Sequence, residues 1–211
     1  MRTVTHADTA DIDTPHGPAR AHLHHVDAPI AALVLGHGAG GGVQAPDLRA
    51  ATDAALEAGA SVALIEQPYR VAGRRSAAPA KQLDAAWIAV VAELAAGPLR
   101  GVPIVTGGRS SGARVACRTA AETGAAGVLC LAFPLMPPQR RGSSAPPPSR
   151  QAELDAVAVP TLVIQGETDR FGMPRPGPSR TVVRVRGDHR LASDAETLRA
   201  AVTDWLRTIA P

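Results

Sequence analysis

Short apolar runs alternate with longer amphipathic ones along this chain, and that alternation restricts the fold more than any other feature. Residues 19–26, 30–36, 61–66, 102–107, 127–132, 160–165 and 181–186 have the length and composition of strands. Between them, residues 46–58, 81–96, 111–123, 150–155 and 193–209 carry helical spacing, and Gly59, Gly97-Pro98 and Gly124 stand where three of these stretches should stop. Strands separated by helices of this length belong in a mostly parallel sheet covered on both faces. The predicted fold class is therefore α/β, with any site in the loops at the carboxyl ends of the strands. The run 19–26 alternates and is expected near a sheet edge, joined to the wholly apolar 30–36 by a tight Asp27-Ala28-Pro29 connection.

At 211 residues the chain is sized for one domain, spanning 1–211. Residues 1–17 are polar and acidic and read as a flexible start; residues 133–150 are proline-rich without a period, and read as a loop or partial lid too short for a cap domain. Hydrophobic residues at 45% and charged ones at 19% argue against disorder. The formal charge is +3, and of 22 basic residues only Lys81 is lysine, the arginines being scattered with no run beyond a pair. A nucleic-acid partner would call for clustered charge, so none is expected. No stretch approaches the roughly 18 apolar residues of a membrane span, and the polar start has no leader-like core. A cytoplasmic protein acting away from membranes follows as the expectation, and its homo-oligomeric state is left open. Cys117 and Cys130 fall inside a helix-like and a strand-like run, as buried free thiols do.

Two turns carry more information than the rest. The first, within LVLGHGAGGGVQAPDL at 33–48, has five glycines in seven residues after a strand. Gly36, Gly38 and Gly41 spell G-x-G-x-x-G, and Glu66 closes the next apolar run where a ribose-binding carboxylate would stand, which reads as a dinucleotide site. His37-Gly38 followed by glycines also suits a loop that aims a backbone N–H at a developing oxyanion. The second turn is Gly108-Arg109-Ser110-Ser111-Gly112, a G-x-S-x-G between a strand and a helix. A serine there is forced into a strained backbone and stands clear of the sheet above the N–H groups of the helix.

A serine hydroxyl needs a base, and the base needs a carboxylate to fix its tautomer. Two later strand ends offer both: Asp169 in TLVIQGETDRFG and His189 in TVVRVRGDHRLAS. Glu167 and Asp188 are the alternative carboxylates. His22, His24 and His25 lie along one alternating strand without further ligands in sight, so no metal is expected. His37 is expected to order the glycine loop by hydrogen bonding, and Tyr69, in EQPYR, to line the site or pack its loop. Trp87 and Trp205 read as core.

In series, GHGAGG, QPYRVAGRR, GGRSSGARVA, FPLMPP, PTLVIQGETDRFG and GDHRL resemble the α/β-hydrolase superfamily. More narrowly they resemble its small predicted-hydrolase family, which includes dienelactone-hydrolase-like bacterial proteins and eukaryotic testis-expressed and chromatin-complex subunits. The order Ser, Asp, His agrees. The resemblance implies an α/β-hydrolase fold without a cap domain and a serine hydrolase with Ser110 as nucleophile, His189 as base and Asp169 as acid. It also implies an oxyanion hole from the N–H groups of Ala39 and Ser111, a site bordered by His37, Gly38, Gly40, Tyr69 and Arg109, and no metal or organic cofactor. With five aromatic residues, the expected substrate is a small molecule with an ester or thioester-like acyl bond in a shallow aliphatic pocket. Two rival readings stand beside it: a catalytically silent binding module on the same fold, and a Rossmann-type dinucleotide enzyme that would leave Ser110, Asp169 and His189 without a role.

Overall fold

The computed structural model describes residues 4–137 and 147–209. In chain order the elements are β1 (Val4–Ile12), β2 (Ala19–Val26), β3 (Ala32–Gly36), α1 (Pro46–Ala58), β4 (Ser61–Glu66), α2 (Pro68–Val71), α3 (Ala80–Ala96), β5 (Ile104–Arg109), α4 (Ser111–Thr119), β6 (Gly127–Leu131), α5 (Gln151–Asp155), β7 (Thr161–Gly166), β8 (Arg180–Val185) and α6 (Ala195–Ile209). They form one eight-stranded sheet ordered β1-β2-β4-β3-β5-β6-β7-β8. From β4 to β8 all pairs are parallel, while β1 and β2 run antiparallel at one end.

The wholly apolar strands are the central ones because both their faces are covered. Leu33 and Leu35 of β3 join Leu48, Ala51 and Ala55 of α1 and Leu198, Val202 and Leu206 of α6 on one face. Ala32 and Val34, one residue out of phase, meet Trp87, Val90 and Leu94 of α3 on the other. A third cluster seats Ala113, Ala116 and Cys117 of α4 and Leu154 of α5 on Val128, Cys130 and Val163. Each leucine so enclosed contributes on the order of 2 kcal/mol. Trp87 is core, as expected, and Trp205 packs against the α1–α6 layer half-buried.

Several expectations need correction. The region read as a flexible start holds β1, paired along its length with β2; β2 itself lies near the sheet edge as expected, as its second strand. Residues 7–11 are all exposed and only Ile12 is buried, so β1 lacks the apolar alternation that marks a strand; backbone pairing makes it. β2 also does not neighbour β3, since β4 lies between them. The helix begun at Ser111 stops at Thr119 and continues to Gly124 as turns, and α2 was not anticipated. Of the proline-rich stretch, residues 138–146 lie outside the described residues. Its ends are tied down by Met136 N–H to the Phe171 carbonyl (2.8 Å) and Arg150 N–H to the Leu135 carbonyl (2.8 Å).

Candidate active site

The chain leaves β3 for β4 on one side and then crosses to β5 on the other, so the carboxyl ends of β3 and β5 meet where the winding reverses, a natural crevice in such sheets. Ser110 stands there between β5 and α4 with φ 53° and ψ −106°. A non-glycine residue in that region costs about 1–3 kcal/mol and persists only if its surroundings enforce it. Here its N–H bonds the Leu131 carbonyl of β6 (2.9 Å) and its carbonyl accepts from Arg114 N–H (3.3 Å). Gly108 and Gly112 on either side lie against the Gly36 carbonyl, which a Cβ on either would overlap, so the elbow is pressed onto the end of β3.

Across this elbow the structure brings together the three residues taken from separate strand ends. His189 Nε2 lies 3.0 Å from Ser110 Oγ, and His189 Nδ1 lies 2.8 Å from Asp169 Oδ2. Since a carboxylate only accepts, Nδ1 carries the proton and Nε2 is left to accept from the hydroxyl. The Asp169 side chain is fully buried, and its remaining capacity is filled by Gln165 Nε2 on Oδ2 (2.8 Å) and Phe171 N–H on Oδ1 (2.9 Å). The Phe171 ring meets the imidazole edge-on, with centroids 4.6 Å apart. Of the alternative carboxylates, Asp188 caps the turn of its own loop through Arg190 N–H, and among the described residues neither it nor Glu167 forms a hydrogen bond or ion pair with the His189 ring.

The glycine loop after β3 closes the other side. Among the described residues, the N–H groups of Ala39 and Ser111 have no hydrogen-bond partner. Tyr69 donates its hydroxyl to the Ala39 carbonyl (3.1 Å), which fixes the plane of the following peptide rather than exposing a phenol to the crevice. His37 is buried with both ring nitrogens engaged: Nδ1–H donates to the Gly38 carbonyl (2.8 Å), and Nε2 accepts from Gln67 N–H (3.2 Å). Burial holds its pKa below the usual histidine value. Gly40 is exposed and meets nothing where a Cβ would stand, whereas Gly38 lies under the guanidinium of Arg109. Arg109 Nε is paired at 2.8 Å with Oδ2 of Asp47, a fully buried carboxylate at the start of α1. Burial raises the Asp47 pKa, with the Arg109 charge pulling the other way.

Sequence reasoning missed Gln165, Phe171 and Asp47. Gln165 had a signal, as a polar side chain that directly follows the apolar run Leu162–Ile164; the other two depend on contacts from distant segments. The geometry speaks against the dinucleotide reading. Glu66 faces His22 (3.4 Å) on β2, and α1 begins at Pro46, five residues beyond the last glycine of that fingerprint, so the helix that follows the loop does not start on it as a dinucleotide fold requires.

A parallel sheet wound in this order, with a strained serine at the reversal, defines the α/β-hydrolase class. Residues 29–197 match the family model described as an alpha/beta hydrolase domain, and the chain belongs to that family. Its structure is similar to that of an α/β serine hydrolase without lid from Xanthomonas campestris, at 21% identity and TM-score 0.75, covering 100% of this chain and 98% of that one. It is similar also to a dienelactone hydrolase from Anabaena variabilis (16%, TM-score 0.75, 98% and 99%) and to an esterase from Pyrococcus furiosus (14%, TM-score 0.75, 96% and 90%). At such identities the likeness is one of fold. Comparison with curated proteins by sequence gives no match. Among the described residues, no helix is long and apolar enough to cross a membrane.

Proposed function

We propose that the chain is a serine hydrolase that cleaves a small ester or thioester-like acyl bond through an acyl-enzyme. The observation that carries this reading is the line Ser110 Oγ–His189 Nε2–His189 Nδ1–Asp169 Oδ2, with 3.0 and 2.8 Å between successive residues, built on a serine held at positive φ. Ser110 Oγ attacks the carbonyl carbon while His189 Nε2 takes its proton, and Asp169 stabilises the imidazolium. The N–H groups of Ala39 and Ser111, which have no other partner among the described residues, receive the tetrahedral oxyanion. The imidazolium then protonates the departing alcohol or thiol. Water, deprotonated by the same nitrogen, attacks the acyl-enzyme; as the bond to Ser110 Oγ breaks, the imidazolium returns that proton to Oγ and the carboxylic acid is released.

Half-buried Phe171 stands beside His189, with half-buried Met136 bonded to it through the backbone and Leu135 next along the chain, and these side chains suit a small apolar group. That solved structures of the same fold include an esterase and a dienelactone hydrolase agrees with the reaction class. A cytoplasmic location, expected from the sequence, is kept as part of this reading; Cys117 and Cys130 are both buried, with sulfurs 3.4 Å apart. The test is a fluorophosphonate probe: the folded protein should be labelled covalently at Ser110 and Ser110→Ala should not. Folded wild type that resists labelling would refute hydrolysis and leave a silent binding module.

A further inference from the structure

The serine, the glycine loop and the histidine come from three different strand ends, and the side chain of the residue just before the serine reaches the other two. Arg109 Nε pairs with Asp47 Oδ2 at 2.8 Å, Nη2 donates to the backbone carbonyl of His189 at 3.0 Å, and Nη1 lies only 2.8 Å from where a Cβ on Gly38 would stand. Its side chain is 18% exposed and that of Asp47 is fully buried, so the pair is held within the protein rather than on its surface.

The loop bearing His189 is otherwise anchored toward β7. Thr168 donates both its N–H and its hydroxyl to the Gly187 carbonyl (3.0 Å each), and Leu191 N–H and Arg190 N–H turn back onto Asp188. Asp169 fixes the rotation of the imidazole but not the distance of its backbone from β5. Among the described residues, apart from the contact with Ser110 itself, the Arg109 bond is what ties the histidine backbone to the serine side of the crevice.

We propose that Arg109 is a positioning residue: anchored by Asp47, its guanidinium holds the His189 backbone against the elbow so that Nε2 stays within reach of Ser110 Oγ. A rigid planar fork is suited to this because it serves an acid on one edge and a carbonyl on another, which the single ammonium of lysine does not reproduce. Asp47 also compensates a positive charge that would otherwise stand unpaired beside an imidazole that must become cationic. The strap itself is read from geometry; its effect on rate rests on the hydrolase reading above.

The experiment compares wild type with Arg109→Ala and Arg109→Lys by two readouts. Amide hydrogen exchange is followed across residues 187–191, and kcat and KM for a nitrophenyl ester are measured together with the rate of fluorophosphonate labelling. Loss of the strap should speed exchange in that segment while β5 and β6 keep their protection. It should also lower kcat and the labelling rate by about 10- to 100-fold, as expected of a displacement near 1 Å, with KM within about twofold. Arg109→Lys should stay impaired, and millimolar guanidinium should partly restore Arg109→Ala where equal sodium chloride does not. If Arg109→Ala does not fold, Arg109→Met keeps the stem and takes its place. Unchanged exchange at 187–191, or full activity in the lysine variant, overturns the proposal. Faster exchange in that segment with no labelling of wild type would uphold the strap and refute the hydrolase reading instead.

Discussion

Replacing Asp169 by Asn separates the charge of this side chain from its shape. Three donors converge on the carboxylate: His189 Nδ1–H and Gln165 Nε2–H on Oδ2, and Phe171 N–H on Oδ1. An amide has one accepting oxygen. With that oxygen at the Oδ2 position, two donors remain satisfied and one N–H, that of Phe171, is left facing an amide nitrogen. The reverse orientation leaves two unsatisfied, so the first is favoured by roughly one hydrogen bond, about 1 kcal/mol. The histidine then keeps its proton on Nδ1, and what is lost is the attraction between carboxylate and imidazolium. At an effective dielectric constant of about 20, unit charges about 4 Å apart attract by about 4 kcal/mol. The expected loss in kcat/KM for a nitrophenyl ester is therefore about 10³-fold, with folding checked by thermal melting. A variant within tenfold of wild type would refute the claim that the Asp169 charge supports the reaction. A loss as complete as that of Ser110→Ala would show that the amide had turned its nitrogen to His189 and reversed the tautomer.

Two further outcomes concern stability. Because Ser110 is held at φ 53°, Ser110→Gly should be more stable than Ser110→Ala by about 1 kcal/mol or more, the opposite of the usual order; a glycine variant that unfolds at lower urea than the alanine one would show that the elbow stores no backbone strain. His37 has a folded pKa lowered by burial, so between that value and about 6.5 the unfolded chain binds the extra proton. Stability should then be fully present above about pH 6.5 and decline as pH falls, with a slope of at most about 1.4 kcal/mol per pH unit from this residue. Urea titrations of wild type and His37→Phe from pH 5 to 7 test it: equal slopes would remove His37 as the cause.

Much of this molecule was legible because its strands are short, apolar and stopped by glycine, and because the elbow motif fell between a strand and a helix. The strand ends bearing Asp169 and His189 could be read for the same reason. β1 escaped because residues 7–11 are all exposed, so no burial pattern marks the pairing that makes it a strand. The glycine loop was ambiguous from sequence, since the spacing of Gly36, Gly38 and Gly41 suits a pyrophosphate as well as an oxyanion. What counts against the pyrophosphate is where Glu66 and the start of α1 lie, a matter of tertiary placement. Asp47 looked like an ordinary acidic residue at a helix start. Its pairing with Arg109, sixty-two positions along, arises only because β3 and β5 are neighbours in the sheet.

The two halves of the site are held by different physics. On the β3–β5 side, backbone meets backbone: Gly108 and Gly112 against the Gly36 carbonyl leave no room for adjustment, and a strained serine can be maintained there. On the β7–β8 side, the acid and the histidine sit on loops whose positions depend on side-chain hydrogen bonds from Gln165, Thr168 and Arg109. Close-packed main chain cannot shift by an ångström without clashing, whereas a loop tied by a few polar contacts can open at a cost of about 1 kcal/mol each. Motion in this site should therefore be asymmetric, with the histidine loop moving relative to a fixed serine. Among the described residues, apart from the Ser110–His189 hydrogen bond itself, the Arg109 strap spans the two halves, so its loss should affect the distance between serine and histidine before it affects either half alone.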